Sequence, residues 1–115
     1  MTAQSRQQLR QNQCTACEGG IAQWSLEEVH SQLECLPGWE LYPSGTVIGK
    51  RWKKKDFAEA LDFCRSIGEL AEAEGHHPDL HLTGYRHVEV VLTTHAIGGL
   101  SLNDFILAAK IDELG

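Results

Sequence analysis

Hydrophobic and polar positions alternate with two different periods along this chain, and each change of period marks an element. Phe57, Ala60, Leu61, Cys64, Ile67, Leu70 and Ala71 recur at steps of three and four, the spacing of one apolar helical stripe. The spacing predicts a helix from about Phe57 to Glu74. Gly75 follows as a C-terminal cap and Pro78 forbids continuation, leaving His76 and His77 just past the helix end. Two further helices are predicted, from about Leu26 to Glu34, stopping before Pro37-Gly38, and from about Leu102 to Leu114, burying Phe105, Ile106, Ala109 and Ile111 or Leu114. All three open alike: Ser25, Asp56 and Ser101 each stand three positions before an acid, Glu28, Glu59 and Asp104. That arrangement satisfies free amides at a helix start and complements its dipole.

Between the helices the period falls to two. Residues 39–42 and 46–52 flank the turn Pro43-Ser44-Gly45, and residues 81–83 and 87–94 flank Gly84-Tyr85-Arg86, giving two hairpins. The order α-β-β-α-β-β-α predicts an α+β fold, a four-stranded antiparallel sheet with three helices packed on one face. In the last strand Val88, Val90, Leu92 and Thr94 should face the helices, and His87, Glu89, Val91, Thr93 and His95 the other side. His95 ends that strand, immediately before the loop Ala96-Ile97-Gly98-Gly99.

At 115 residues, 42% hydrophobic and 23% charged, the chain has the composition of one ordinary globular domain. Residues 14–115 are assigned to that domain. Residues 1–13 are Gln-rich, without aromatic or β-branched residues beyond Thr2, and read as a flexible N-terminal tail. A formal charge of −6 argues against nucleic acid or an anionic membrane as the partner. The basic run of residues 50–55 reads as a solvated strand end and helix entry, with a phosphate or acidic partner as the alternative. No apolar run approaches the roughly 18 residues of a spanning helix, and the expected location is cytoplasmic.

Of the four cysteines, Cys14 and Cys17 have the spacing of half a zinc site, but no second pair accompanies them. Reduced thiols are the default, and Cys64 falls on the apolar helical face as a small buried hydrophobe.

One stretch does not reduce to core and surface. Residues 72–95, "EAEGHHPDLHLTGYRHVEVVLTTH", carry five of the six histidines. A metal site, an acid/base site and solvated polar side chains are all open readings of this pattern. Glu72, His76, His77 and His95 form the group that points to function, and His30, His81 and His87 are taken as structural or exposed. Glu72 stands four residues before His76, a spacing that lets a helical carboxylate orient an imidazole and raise its proton affinity. Asp104 either only caps its helix or also orients a histidine.

The run Glu72-x-x-x-His76-His77-Pro78, an aromatic at Tyr85, Thr94-His95, and Gly99-Leu100-Ser101-x-x-Asp104 closely resembles the pterin-4a-carbinolamine dehydratase family, in particular its plant and bacterial branch. The likeness runs from about Cys14 to the C-terminus. It implies the same sheet-and-helix fold and the removal of water from a 4a-hydroxy-tetrahydropterin, giving a quinonoid dihydropterin. By position it implies that His76, His77 and His95 are catalytic and that Glu72, Pro78 and Asp104 bind substrate or shape the site. It implies no metal and no cofactor, the pterin being the substrate, and a homodimer or homotetramer. Animal members carry an arginine immediately before this aspartate, where the chain has Asn103. Some relatives of this fold act without catalysis, as a Rubisco assembly chaperone or a dimerisation partner, which is the competing expectation.

Overall fold

A computed structural model describes residues 3–15 and 23–115. The elements follow in the order α1 (Arg6–Gln11), α2 (Leu26–Leu33), β1 (Glu40–Leu41), β2 (Ile48–Lys53), α3 (Phe57–Glu74), β3 (Asp79–Thr83), β4 (His87–Leu92), a single 3-10 turn (His95–Ile97) and α4 (Leu102–Leu114). The four strands form one antiparallel sheet in the spatial order β1-β2-β4-β3, so each hairpin contributes one central and one edge strand. The fold is α+β, as the alternation of periods predicts.

Register decides which side chains share a face. Ile48, Lys50 and Trp52 of β2 stand opposite Leu92, Val90 and Val88 of β4, and Val88, Val90, Leu92 and Ile48 are completely buried beneath the helices. Gly49, Arg51 and Lys53 stand opposite Val91, Glu89 and His87 on the outer face. Lys50 is a charged residue on the inner face, and its ammonium reaches Asp112 of α4 at 2.8 Å. The Trp39 indole donates to the same carboxylate at 3.1 Å, so α4 is tied both to β2 and to the residue that leads into β1.

Along α3 the core takes Ala60, Phe63, Ile67 and Ala71, while Phe57 and Leu61 from the predicted stripe are about half exposed. Successive helical residues are turned by about 100°. Once Phe63 is fixed edge-on against Trp52, with ring centroids 5.0 Å apart, Leu61 is rotated off the buried line. Helix α4 differs more from an amphipathic pattern: Asn103 to Ala109 and Ile111 are all buried, while Leu114 is exposed. It packs against α1 and α3, so the run from Asn103 to Ala109 has no solvated face.

The N-terminal segment also differs from a plain tail. Residues 6–11 form a helix whose Leu9 is fully buried, opened by a capping box between Ser5 and Gln8. The buried Gln32 side chain of α2 both accepts from the Gln4 amide and donates to its carbonyl, at 3.0 and 2.7 Å. The polar composition concealed this helix because one leucine and one distant glutamine hold it. Among the described residues no helix is long and apolar enough to cross a membrane.

Candidate active site

Three chain segments meet at the end of the sheet where β4 stops. Helix α3 stops where Gly75 takes the left-handed conformation (φ 68°, ψ 24°), and the amides of Gly75 and His76 both turn back to the Ala71 carbonyl. That reversal, which a residue with a Cβ would resist, directs His76 inward. Strand β4 ends at Leu92; Thr94 then pairs with Gly99 across the 3-10 turn that carries His95. Helix α4 begins at the Ser101 cap. Gly75, His76, His77, Thr93, Thr94, His95 and Ala96 together line a cavity of about 190 Å³. The three histidines assigned from the sequence are thus brought together, although His95 lies 18 and 19 positions beyond the doublet.

Behind the cavity lies a buried polar network. His76, 9% exposed, places Nε2 2.6 Å from Oδ1 of Asp104, which is completely buried. The other carboxylate oxygen, Oδ2, accepts from the Thr94 hydroxyl at 2.7 Å and the Ser101 amide at 3.0 Å, and the Ser101 and Thr94 hydroxyls lie 2.8 Å apart. An ionised carboxylate has only acceptors to offer, so Nε2 of His76 carries the proton and Nδ1 is left for other partners. Asp104 therefore does both things the sequence left open: it completes the helix cap and it orients a histidine.

Glu72 does not orient His76. Its carboxylate lies 2.7 Å from Nε2 of His77, five residues on, and both side chains are mostly exposed. The four-residue spacing would pair Glu72 with His76 only if the helix continued, and Gly75 ends it one residue too early. Pro78 is half-buried behind the doublet and is not among the residues lining the cavity. Tyr85 sits in the β3–β4 turn with φ 56°, beside the Thr83–His87 pair and thus at the opposite end of the strands from His95. His30, His81 and His87 are exposed and lie outside the cavity.

The position that departs from the animal pattern has its own occupation. Asn103, 5% exposed, accepts from the Thr15 amide at 3.0 Å and donates to the Thr15 carbonyl at 2.7 Å, so its side chain is turned to the N-terminal segment. Cys14 donates its amide to Glu74 at 2.9 Å, and its thiol faces the Asn103 carbonyl at 3.6 Å. Burial, reinforced by the neighbouring Glu74 charge, pushes this thiol up to about 12. Cys17, the other half of the proposed zinc pair, lies outside the described residues. Among the described residues no three His, Cys, Asp or Glu side chains are grouped to hold a metal ion. Sequence reading passed over the Thr94 and Ser101 hydroxyls as core and cap; their shared acceptor is visible only in three dimensions.

Fold and cavity together define a class: a small α+β domain that collects three imidazoles and one buried carboxylate at one end of its sheet. Residues 22–114 match the family described as pterin 4 alpha carbinolamine dehydratase, and the chain belongs to that family. A protein of Methylococcus capsulatus with the name "Putative pterin-4-alpha-carbinolamine dehydratase" is 48% identical over 106 residues, covering 92% of each chain. The mitochondrial pterin-4-alpha-carbinolamine dehydratase 2 of Arabidopsis thaliana is 40% identical over 109 residues, 92% of this chain and 58% of its own. Among solved structures, a transcriptional coactivator/pterin dehydratase from Brucella melitensis superposes with a TM-score of 0.76 at 29% identity, over 81% of this chain and 98% of that one. A pterin dehydratase-like RuBisCO assembly factor of the alpha-carboxysome shares the fold, with a TM-score of 0.58 at 23% identity over 67% of this chain and 88% of that one.

Proposed function

We propose that this chain is an active 4a-hydroxytetrahydrobiopterin (pterin-4a-carbinolamine) dehydratase that works by histidine acid/base catalysis. The observation that supports this most is the convergence of His76, His77 and His95 on one cavity with Asp104 behind His76. An assembly factor needs the fold but has no use for that convergence.

The reaction moves protons and no electrons leave the substrate. The N5–H bond of the 4a-hydroxy-tetrahydropterin breaks, its electron pair forms the C4a=N5 bond, and the C4a–O bond breaks with a proton delivered to the departing oxygen. Water and the quinonoid dihydropterin result. Imidazole is suited to both transfers, because its unperturbed pKa near 6.5 leaves acid and base forms available at neutral pH. His76 is the base in this reading: the Asp104 carboxylate on Nε2 orients the ring and leaves Nδ1 to take the N5 proton. His95, exposed at the cavity, is the proposed donor to the hydroxyl, a role its access to water supports. His77, held by Glu72, serves binding or proton transfer, and Pro78 fixes the chain behind it. The chemistry requires no metal or cofactor, and the product suits a separate reductase that returns the pterin to use.

The test is a stopped assay with freshly generated 4a-carbinolamine, comparing dehydration with and without the protein. Acceleration over the spontaneous reaction is the expected result. A rate equal to the uncatalysed one would leave the fold in an assembly or dimerisation role.

A further inference from the structure

We infer that Glu74, tied to Lys110, is a positioning residue that holds His76 against Asp104. The kinetic part of this inference rests on the dehydratase reading; its spectroscopic part does not.

The need for such a residue follows from the chain path. His76 stands beyond Gly75, the residue that ends α3, so its place relative to α4 depends on how the last turn of α3 is fastened. Glu74 is the last residue of that helix, and it does not line the histidine cavity. Its Oε2 accepts from the Lys110 ammonium of α4 at 2.7 Å, with the two side chains only 12% and 16% exposed. Its Oε1 accepts from the Cys14 amide at 2.9 Å. The next residue, Thr15, is clamped in both directions by the Asn103 side chain at the start of α4. Glu74 is therefore fastened to α4 twice, directly at Lys110 and through residues 14–15 at Asn103. Asp104 lies between those two points of attachment.

Charge-assisted bonds from which water is largely excluded are the strong and geometrically exact kind. A carboxylate–imidazole pair at 2.6 Å has little tolerance for displacement, and a shift of about 1 Å in a catalytic group can cost about 10²-fold in rate. Burial opposes the charge on Glu74, but the Cys14 amide and Lys110 outweigh it and hold the carboxyl below its usual range, so it stays ionised at neutral pH.

The test uses the full chain with Lys110→Met, which keeps the aliphatic stem and removes the ammonium, and Lys110→Arg, which keeps the charge. Three quantities are read: kcat against KM, the pH profile of kcat, and the imidazole nitrogen NMR signals of His76, which report its tautomer. In Lys110→Met the expected result is a kcat lowered about tenfold with a much smaller change in KM. A displaced pH profile and loss of the single Nε2–H tautomer should accompany it. Lys110→Arg should regain most of each. If Lys110→Met does not fold, Glu74→Gln, which keeps an acceptor for the Cys14 amide, carries the same readouts. A lowered melting temperature with wild-type kcat, pH profile and imidazole signals would overturn the inference, leaving the pair a stabilising contact only. Should the wild-type protein show no turnover, the dehydratase reading fails and the His76 signals alone decide the positioning role.

Discussion

His76 and Asp104, 28 positions apart in the chain, meet at 2.6 Å inside the protein, and the carboxylate that receives the imidazole is the same one that caps α4. One buried group thus joins helix start, strand end and histidine. Asp104→Asn keeps the volume and removes the charge. Its expected effect is a turnover lowered about 10²-fold or more, because the carboxylate that orients His76 is lost. Denaturant unfolding should show a loss of about 1–3 kcal/mol from the network. Unchanged turnover would remove Asp104 from the mechanism.

His76→Ala and His95→Ala should each lower turnover by about 10²–10⁴-fold, the range of acid/base groups, and the double variant should lose little more than the worse single one. Their stabilities should differ. His95 is exposed and its removal should leave the melt unchanged, whereas His76→Ala leaves Asp104 short of a buried partner, a cost of about 1–3 kcal/mol. Thermal melts recorded beside the kinetics check both halves.

The Glu72–His77 pair is solvent-exposed on both sides, so Glu72→Gln should change stability by about 0–1 kcal/mol at most. A larger loss in chemical denaturation would show that the pair is structural and not a movable part of the site.

Turnover should survive exhaustive chelation. Loss with chelator and recovery with zinc would replace the acid/base reading by the metal reading that the histidine count alone leaves open.

On the outer sheet face the Tyr42 hydroxyl donates to Glu89, and the phenol ring lies over Gly49, where a Cβ would collide with it. Burial and this bond push Tyr42 up to about 12, and the same bond, helped by Arg51, holds Glu89 below its usual range. The depressed carboxylate contributes stability above the ordinary glutamate pKa that is lost as pH falls through its folded value. The raised phenol contributes stability below about pH 10 that is lost as pH rises toward 12. Tyr42→Phe should therefore be less stable than wild type by about 1 kcal/mol at neutral pH, with the gap narrowing in both acid and alkali. A gap independent of pH would contradict the coupling.

Much of this protein was legible in one dimension because the signals are local. The boundaries of α4, the cap at Gly75 and the inward set Val88, Val90 and Leu92 follow from period and capping chemistry, which act over a few residues. The motif around His76, His77 and His95 could likewise be singled out, since residue type and spacing are properties of the string. Which carboxylate serves which imidazole was not legible. Helical spacing assigned Glu72 to His76, but a single left-handed glycine turned that histidine inward to Asp104 and left His77 to Glu72. The N-terminal helix escaped notice for a related reason: its stability comes from burying Leu9 and from the Gln32 side chain, not from its own composition. Short-range rules determine where elements begin and end; the pairing of buried polar groups is decided only when packing removes water and each must find its partner.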